Sequence, residues 1–281
     1  MEIRPVLPEN YNQLAGPIEA DRALWTDLEE TIAVMREIGG LVILAGLQDV
    51  VCLRLLHRHL RMDAGSMMLE YDTRAAGSRA LVTARTQRDE ASDFLPNMLA
   101  VTDFGLASAE YSSRSVFTRP QRIADILEEG SVLSAIRKLI IDAELQSVLA
   151  IGFRNKFFFD AGGADSIMIE VTDEAKGQSI ISWEPDDDIS EVIQTLWGFE
   201  QRLAGQTDDD EEETPEPSGE IGSGTPAIRC AVRCFVGCRQ IDGAHKPTGH
   251  EAHHLGLPEN KPKPKPKPKP GNASDTPPLW V

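Results

Sequence analysis

Two groups of residues in this 281-residue chain have side chains and spacing suited to holding a metal ion. The denser group runs Cys230-x3-Cys234-x3-Cys238-x6-His245-x4-His250-x2-His253-His254, and so contains three of the four cysteines and four of the six histidines. Thiolates and neutral imidazoles are preferred zinc donors, and the Cys-x3-Cys and His-x4-His intervals both fall within those of structural zinc sites. A continuous helix over 228–239 would set Cys230 and Cys238 about 12 Å apart along its axis, too far for one tetrahedral ion. The expected zinc quartet is therefore Cys234, Cys238, His245 and His250, with Gly237 loosening the turn. The bland alternative is a weakly amphipathic or disordered segment in which Ile228, Val232 and Phe235 accompany fortuitous histidines.

The second group is smaller. His57 and His59 stand two residues apart at the end of an apolar run, so in extended backbone both imidazoles project from one sheet face, a geometry compatible with shared ligation. Asp63 and Glu70 are near enough in sequence to offer carboxylate oxygen, provided that the turn at Asp63 directs it back. The glycine and glutamate spacing of a cupin is missing around the pair. Against ligation stands the ordinary reading, in which His57 is hydrogen-bonded and partly buried and His59 lies on the surface.

Other chemistry finds no matching motif. The sequence has no Gly-x-Ser-x-Gly, phosphate loop, dinucleotide fingerprint or His-Glu-x-x-His. Gly162, Gly163 and Asp165 read as a turn leading into a strand that carries Glu170. Asp186, Asp187 and Asp188 suit the N-terminus of a following helix, where the dipole favours carboxylates. Phe157, Phe158 and Phe159 leave at least one ring facing away from the core if extended.

The elements that must position these residues follow from periodicity. Leu24, Leu28, Ile32 and Met35 predict a helix over 19–38, stopped by Gly39 and Gly40. Extended segments are expected over 50–57, 67–71, 79–86 and 98–103, with a turn at Asp63, Ala64 and Gly65 before the second. Val132, Ile136 and Leu139 predict a helix over 131–141. Strands follow over 147–153, 166–172 and 179–184, then a helix over 189–203 with Val192, Ile193, Leu196, Phe199 and Leu203 facing inward. Blocks of strands between a few helices predict an α+β fold, a mostly antiparallel sheet with a few packed helices and then a flexible C-terminal tail.

Charge divides the chain in the same place. Residues 1–205 carry 19 basic and 33 acidic groups, 206–220 none and 8, and 221–281 carry 9 and 4, giving −14, −8 and +5. We therefore expect a globular domain over 1–205, an acidic Pro/Gly-rich linker over 206–226, a Cys/His-rich segment over 227–256 and a Lys-Pro-rich tail over 257–281. The alternating Lys and Pro of 261–270 favour an extended polyproline rod. An acidic body repels a phosphate backbone, which leaves nucleic-acid contact to the basic tail alone. No apolar run spans a membrane and no secretory leader is evident, so a cytoplasmic location is expected, with the nucleus as the alternative. In a reducing compartment the cysteines are free thiols or ligands rather than a disulfide framework, and Cys52, alone in an apolar run, reads as a core residue.

Leu55-Leu56-His57-Arg58-His59, then Gly65-Ser66-Met67-Met68-Leu69 and Ile169-Glu170-Val171-Thr172, resemble a group of uncharacterised filamentous-fungal (ascomycete) proteins that pair a Leu-His-x-His strand with a Gly-x-Val/Met-Met-Leu segment. The resemblance extends discontinuously over about residues 20–185 and brings no residue roles with it. The function expected from the sequence is a non-enzymatic intracellular binding or accessory protein that engages a protein partner, its tail ordered by zinc. The alternative is a metal-dependent enzyme using His57 and His59, an accessory activity in fungal secondary metabolism.

Overall fold

Local signals start and stop the helices. In the computed structural model, which describes residues 3–75, 78–87, 93–155, 166–173, 176–185, 193–203 and 228–240, the helices are α1 (Pro8–Tyr11), α2 (Pro17–Leu24), α3 (Leu28–Leu44), α4 (Pro120–Glu129) and α5 (Ser131–Asp142). Proline opens α1, α2 and α4, where its missing N–H costs nothing. The Asp27 carboxylate caps α3 by accepting from the Glu30 amide at 3.1 Å. Gly130, at φ 70°, ends α4 in the left-handed region and lets α5 start at once.

The helix expected over 19–38 is thus two helices, and Gly39 and Gly40 do not stop the second. They lie inside α3. Its continuation adds the buried side chains of Val42 and Ile43, each stabilising by about 1.5–3 kcal/mol, against a loss of about 1 kcal/mol for each glycine in a helix.

Among the described residues eleven strands form one sheet: β1 (Ile3–Pro5), β2 (Val51–Leu55), β3 (Ser66–Ala75), β4 (Ser78–Gln87), β5 (Phe94–Thr102), β6 (Gly105–Ser113), β7 (Leu149–Phe153), β8 (Ser166–Asp173), β9 (Gln178–Pro185), β10 (Ile193–Leu203) and β11 (Ile228–Gln240). Their order is β1-β6-β3-β4-β9-β8-β11-β10-β2-β7-β5, and a further β5–β6 pairing brings the two ends together, so the sheet curls. Only β1–β6, β3–β6 and β8–β11 pair in parallel. The α+β class with a mostly antiparallel sheet is therefore the observed one.

One expectation fails in the C-terminal half. Residues 193–203 are strand β10, not helix, paired antiparallel with β11 and β2. Residues 186–192 lie outside the described residues, and the helix that the three aspartates were expected to cap does not follow them. The sheet also crosses the expected domain boundary at Gly205, because β11 lies between β10 and β8. Residues 156–165, with the three phenylalanines, and 241–281, with the Lys-Pro rod, are outside the described residues.

The curl gives the sheet two unlike faces. Val51, Leu53 and Leu55 of β2, Leu149, Ile151 and Phe153 of β7, and Trp197 and Phe199 of β10 join Leu24, Met35, Ile38, Ile136 and Ile140 of the helices in the larger core. Strand alternation sends the intervening residues to the other side. There a smaller apolar cluster that includes Leu56, Met68, Met98, Ala100 and Ala150 accompanies buried Arg54, Glu70, Glu110 and Glu170. Among the described residues no helix is long and apolar enough to cross a membrane. Cys52 is a fully buried free thiol, as expected, and burial pushes it up to about 12.

Candidate metal centre

The histidine pair sits just past β2, on a segment pinned at several points. The Leu56 amide donates to the Val148 carbonyl and the Arg58 amide to that of Ala15. Arg58 Nη1 donates to the Asn12 carbonyl at 2.6 Å, while Asn12 and Met62 exchange hydrogen bonds of 2.8 and 2.7 Å through the Asn12 amide group. Held in this way, Arg58 turns to α1 and both imidazoles turn inward. His57 is 2% exposed and His59 6%, so the expected surface position of His59 is corrected. Their ring centroids are 4.4 Å apart with the planes tilted by 53°.

Each ring has its own orienting partner. His57 Nδ1 lies 2.9 Å from the Leu55 carbonyl, which fixes the proton on Nδ1 because a carbonyl can only accept. The lone pair is then on Nε2, which is buried and has no hydrogen-bond partner. His59 Nε2 lies 3.1 Å from Glu110 Oε1, and its Nδ1 lies 2.9 Å from Glu170 Oε1, within ion-pair distance but off the line of a hydrogen bond. Tyr11 donates to Glu110 at 2.9 Å and Ser179 to Glu170 at 2.8 Å. Thr172 and Ser179 are joined at 3.1 Å.

The two rings differ in charge, one neutral and one cationic. Burial, reinforced by its neighbour His59, lowers His57 to about 3 and leaves it neutral. Burial also works against charge on His59, but the carboxylates of Glu110 and Glu170 outweigh it and raise this ring to about 9. Burial would raise Glu170, yet the His59 imidazolium beside it brings it down to about 2. Arg54, with Nη1 3.9 Å from Glu110 Oε2, adds a further buried cation.

His57, His59 and Glu170 are the group among the described residues whose ligand atoms all lie within 4.8 Å of one another. Donor atoms sharing one ion through bonds of about 2.0–2.2 Å lie no more than about 4.4 Å apart, so a small inward movement of these side chains would bring all three onto one ion. Two imidazoles and one carboxylate could thus supply the donors, His57 through its unpartnered Nε2 and Glu170 through a carboxylate oxygen. Leu55, Glu110 and Ser179 stand behind these ligands as hydrogen-bonding partners of the kind that orient metal ligands. The buried group could hold a metal ion.

Sequence reasoning finds the histidines and misjudges their carboxylate. Glu70 is buried but turned to Ser112 and Asn155, from which its Oε1 accepts at 2.8 and 3.5 Å, and burial raises it despite Arg54. Asp63 is exposed in the turn before β3. Glu170 reads from the sequence only as a strand residue. The sole hint of its role is a carboxylate amid Ile169 and Val171, where an unpaired charge is costly.

The expected tail quartet has a different outcome. Cys234 and Cys238 both lie on β11, and four residues of strand span about 13 Å, against sulfur-to-zinc bonds of about 2.3 Å. His245 and His250 lie outside the described residues.

Comparison with family models, with curated proteins and with solved structures gave no match.

Proposed function

We propose that this chain is a zinc-binding protein in which His57 Nε2, His59 Nδ1 and Glu170 Oε1 hold the ion, and that its role is non-enzymatic. The observation that carries the reading is the unpartnered Nε2 of a neutral, buried His57 beside a second imidazole and a carboxylate. A buried acceptor without a partner costs about 1–3 kcal/mol, a deficit that a bound cation removes. Burial of all three ligands favours an ion held for structure over one that meets substrate. In the ion-free state the His59 proton supplies the positive charge that Glu110 and Glu170 face.

Metal-dependent catalysis is the second reading. It is favoured by the count of donors, since three protein ligands with a remaining position are the usual arrangement of catalytic zinc.

Elemental analysis after dialysis against zinc under reducing conditions tests the assignment. One ion per chain is expected in the wild type, with loss of zinc in the His57→Ala/His59→Ala double variant and in Glu170→Ala. Retention in all of these variants would reject the site. Loss on replacing His245 and His250, with the His57 and His59 variants unaffected, would return zinc to the tail.

A further inference from the structure

Tyr11 is fully buried at the end of α1, and its hydroxyl meets both ends of one residue of the centre. It donates to Glu110 Oε1 at 2.9 Å, and that same oxygen lies 3.1 Å from His59 Nε2. It also accepts from the His59 main-chain amide at 3.4 Å. One side chain thus reaches the backbone of His59 directly and its ring through a single carboxylate oxygen. The neighbouring residues keep α1 against the histidine segment: Asn12 exchanges two hydrogen bonds with Met62, and Arg58 donates to the Asn12 carbonyl. Tyr11 and Leu14 share the smaller apolar cluster with Leu56, Leu60 and Met62.

We propose that Tyr11 is a positioning residue of the metal centre, holding Glu110 and the His59 main chain so that His59 Nδ1 faces the ion. This rests on the metal-holding reading of His57, His59 and Glu170 and deepens it, carrying the outer support of the centre to the N-terminal segment. Two chemical considerations support it. A metal-bound imidazole donates its other N–H to a carboxylate, carbonyl or water that fixes the orientation of the ring. With Nδ1 on the ion, the Nε2 proton of His59 is directed at Glu110 Oε1, the very oxygen that the Tyr11 hydroxyl holds in place. A buried hydroxyl also needs hydrogen-bond partners that an apolar cluster does not supply. A phenylalanine would fill the same apolar space, whereas both polar roles of the Tyr11 hydroxyl are taken by the support of His59.

Distance along the chain conceals the link, since Tyr11 and Glu110 are 99 residues apart and neither belongs to the histidine motif. Coupling between two sites is reciprocal. If α1 sets His59 for the ion, the ion in turn secures α1, so docking of residues 8–12 and metal binding favour each other.

Zinc titration of the full-length, reduced protein against a competing chelator separates this proposal from the reading beneath it, through a double-mutant cycle. Tyr11→Phe should weaken zinc binding by about 10–100-fold, the usual cost of losing such a support, and Glu110→Gln by a similar factor. The two losses should not multiply, because Tyr11 acts through Glu110, and the double variant should bind about as well as the weaker single one. Leu14→Ala trims the same apolar cluster without a polar contact to the centre, and should lower the urea midpoint while leaving zinc affinity as it is. Equal zinc binding by wild type and Tyr11→Phe, losses that multiply in full, or an equal loss in Leu14→Ala would overturn the Tyr11 assignment and leave the three-ligand centre standing. A wild type that binds no zinc would reject both. Should Tyr11→Phe fail to fold, amide exchange in the unsubstituted chain decides the matter: zinc should slow exchange over residues 10–12 together with 57–62, and exchange over 10–12 that is indifferent to zinc refutes the coupling.

Discussion

His59 Nδ1 lies 2.9 Å from Glu170 Oε1, and this pair dictates how the metal-free centre responds to pH. His59, raised from 6.5 to about 9, contributes stability that is complete below pH 6.5 and is lost as pH rises through about 9. Glu170, lowered from 4.5 to about 2, contributes stability above pH 4.5 that is lost as pH falls to about 2. His57, lowered from 6.5 to about 3, penalises folding progressively as pH falls between those values. The combined contribution peaks near pH 6.5. Urea unfolding of chelator-treated wild type and of the His57→Ala/His59→Ala variant, across pH, should give a difference that declines on both sides of that value. A difference independent of pH would contradict the charge assignment.

On the proposed reading, zinc would displace the proton on His59 Nδ1, so that binding and protonation compete. Affinity should rise about tenfold per pH unit from neutrality up to about pH 9 through this one proton, and calorimetry in buffers of different ionisation enthalpy should detect proton release at pH 7. Binding without proton release at that pH would exclude His59 as a ligand.

Gly152 keeps Arg54 in place. It faces Cys52 across the β2–β7 ladder, and an added Cβ would lie 2.6 Å from Arg54 Cγ, 2.7 Å from its Cδ and 2.9 Å from Cys52 Sγ. Gly152→Ala should lower stability by about 1–3 kcal/mol, the usual range for overpacking, as measured by the urea midpoint. An unchanged midpoint would show that the Arg54 side chain moves aside freely.

Because β11 pairs on both sides, with β10 and with β8, removing residues 206–281 should open the sheet. A lower urea midpoint is expected for the truncated chain, together with slow amide exchange over 228–240 in the full-length protein. Equal midpoints and fast exchange there would restore the boundary at Gly205.

Much of the sheet is legible because its strands announce themselves by apolar runs between turns, as with β2 and the Asp63–Gly65 turn before β3. Strand β10 is not, for a definable reason. Register shifts between Gln194 and Leu196 and between Leu196 and Trp197 break the alternation of a regular strand. Ile193, Leu196 and Phe199, all buried, are left three residues apart, the spacing of a helix. Likewise β6 carries Ala107, Ser108 and Ala109 in place of large apolar residues and gives little signal. Of the centre, the local half can be read: His57 and His59 are two residues apart just past the end of β2. Glu170 cannot be assigned, because its approach depends on a ring of strand pairings that no local pattern encodes. The Cys234–Cys238 interval suits a ligand pair only on a helical turn, and the strand doubles the distance it spans.

Anomalous X-ray scattering at the zinc edge, from crystals of the full-length protein grown with zinc, tests the metal centre most directly. The account predicts a peak between His57 Nε2, His59 Nδ1 and Glu170 Oε1. A peak confined to the tail histidines, or an imidazole–carboxylate cluster that stays without one at saturating zinc, would contradict it.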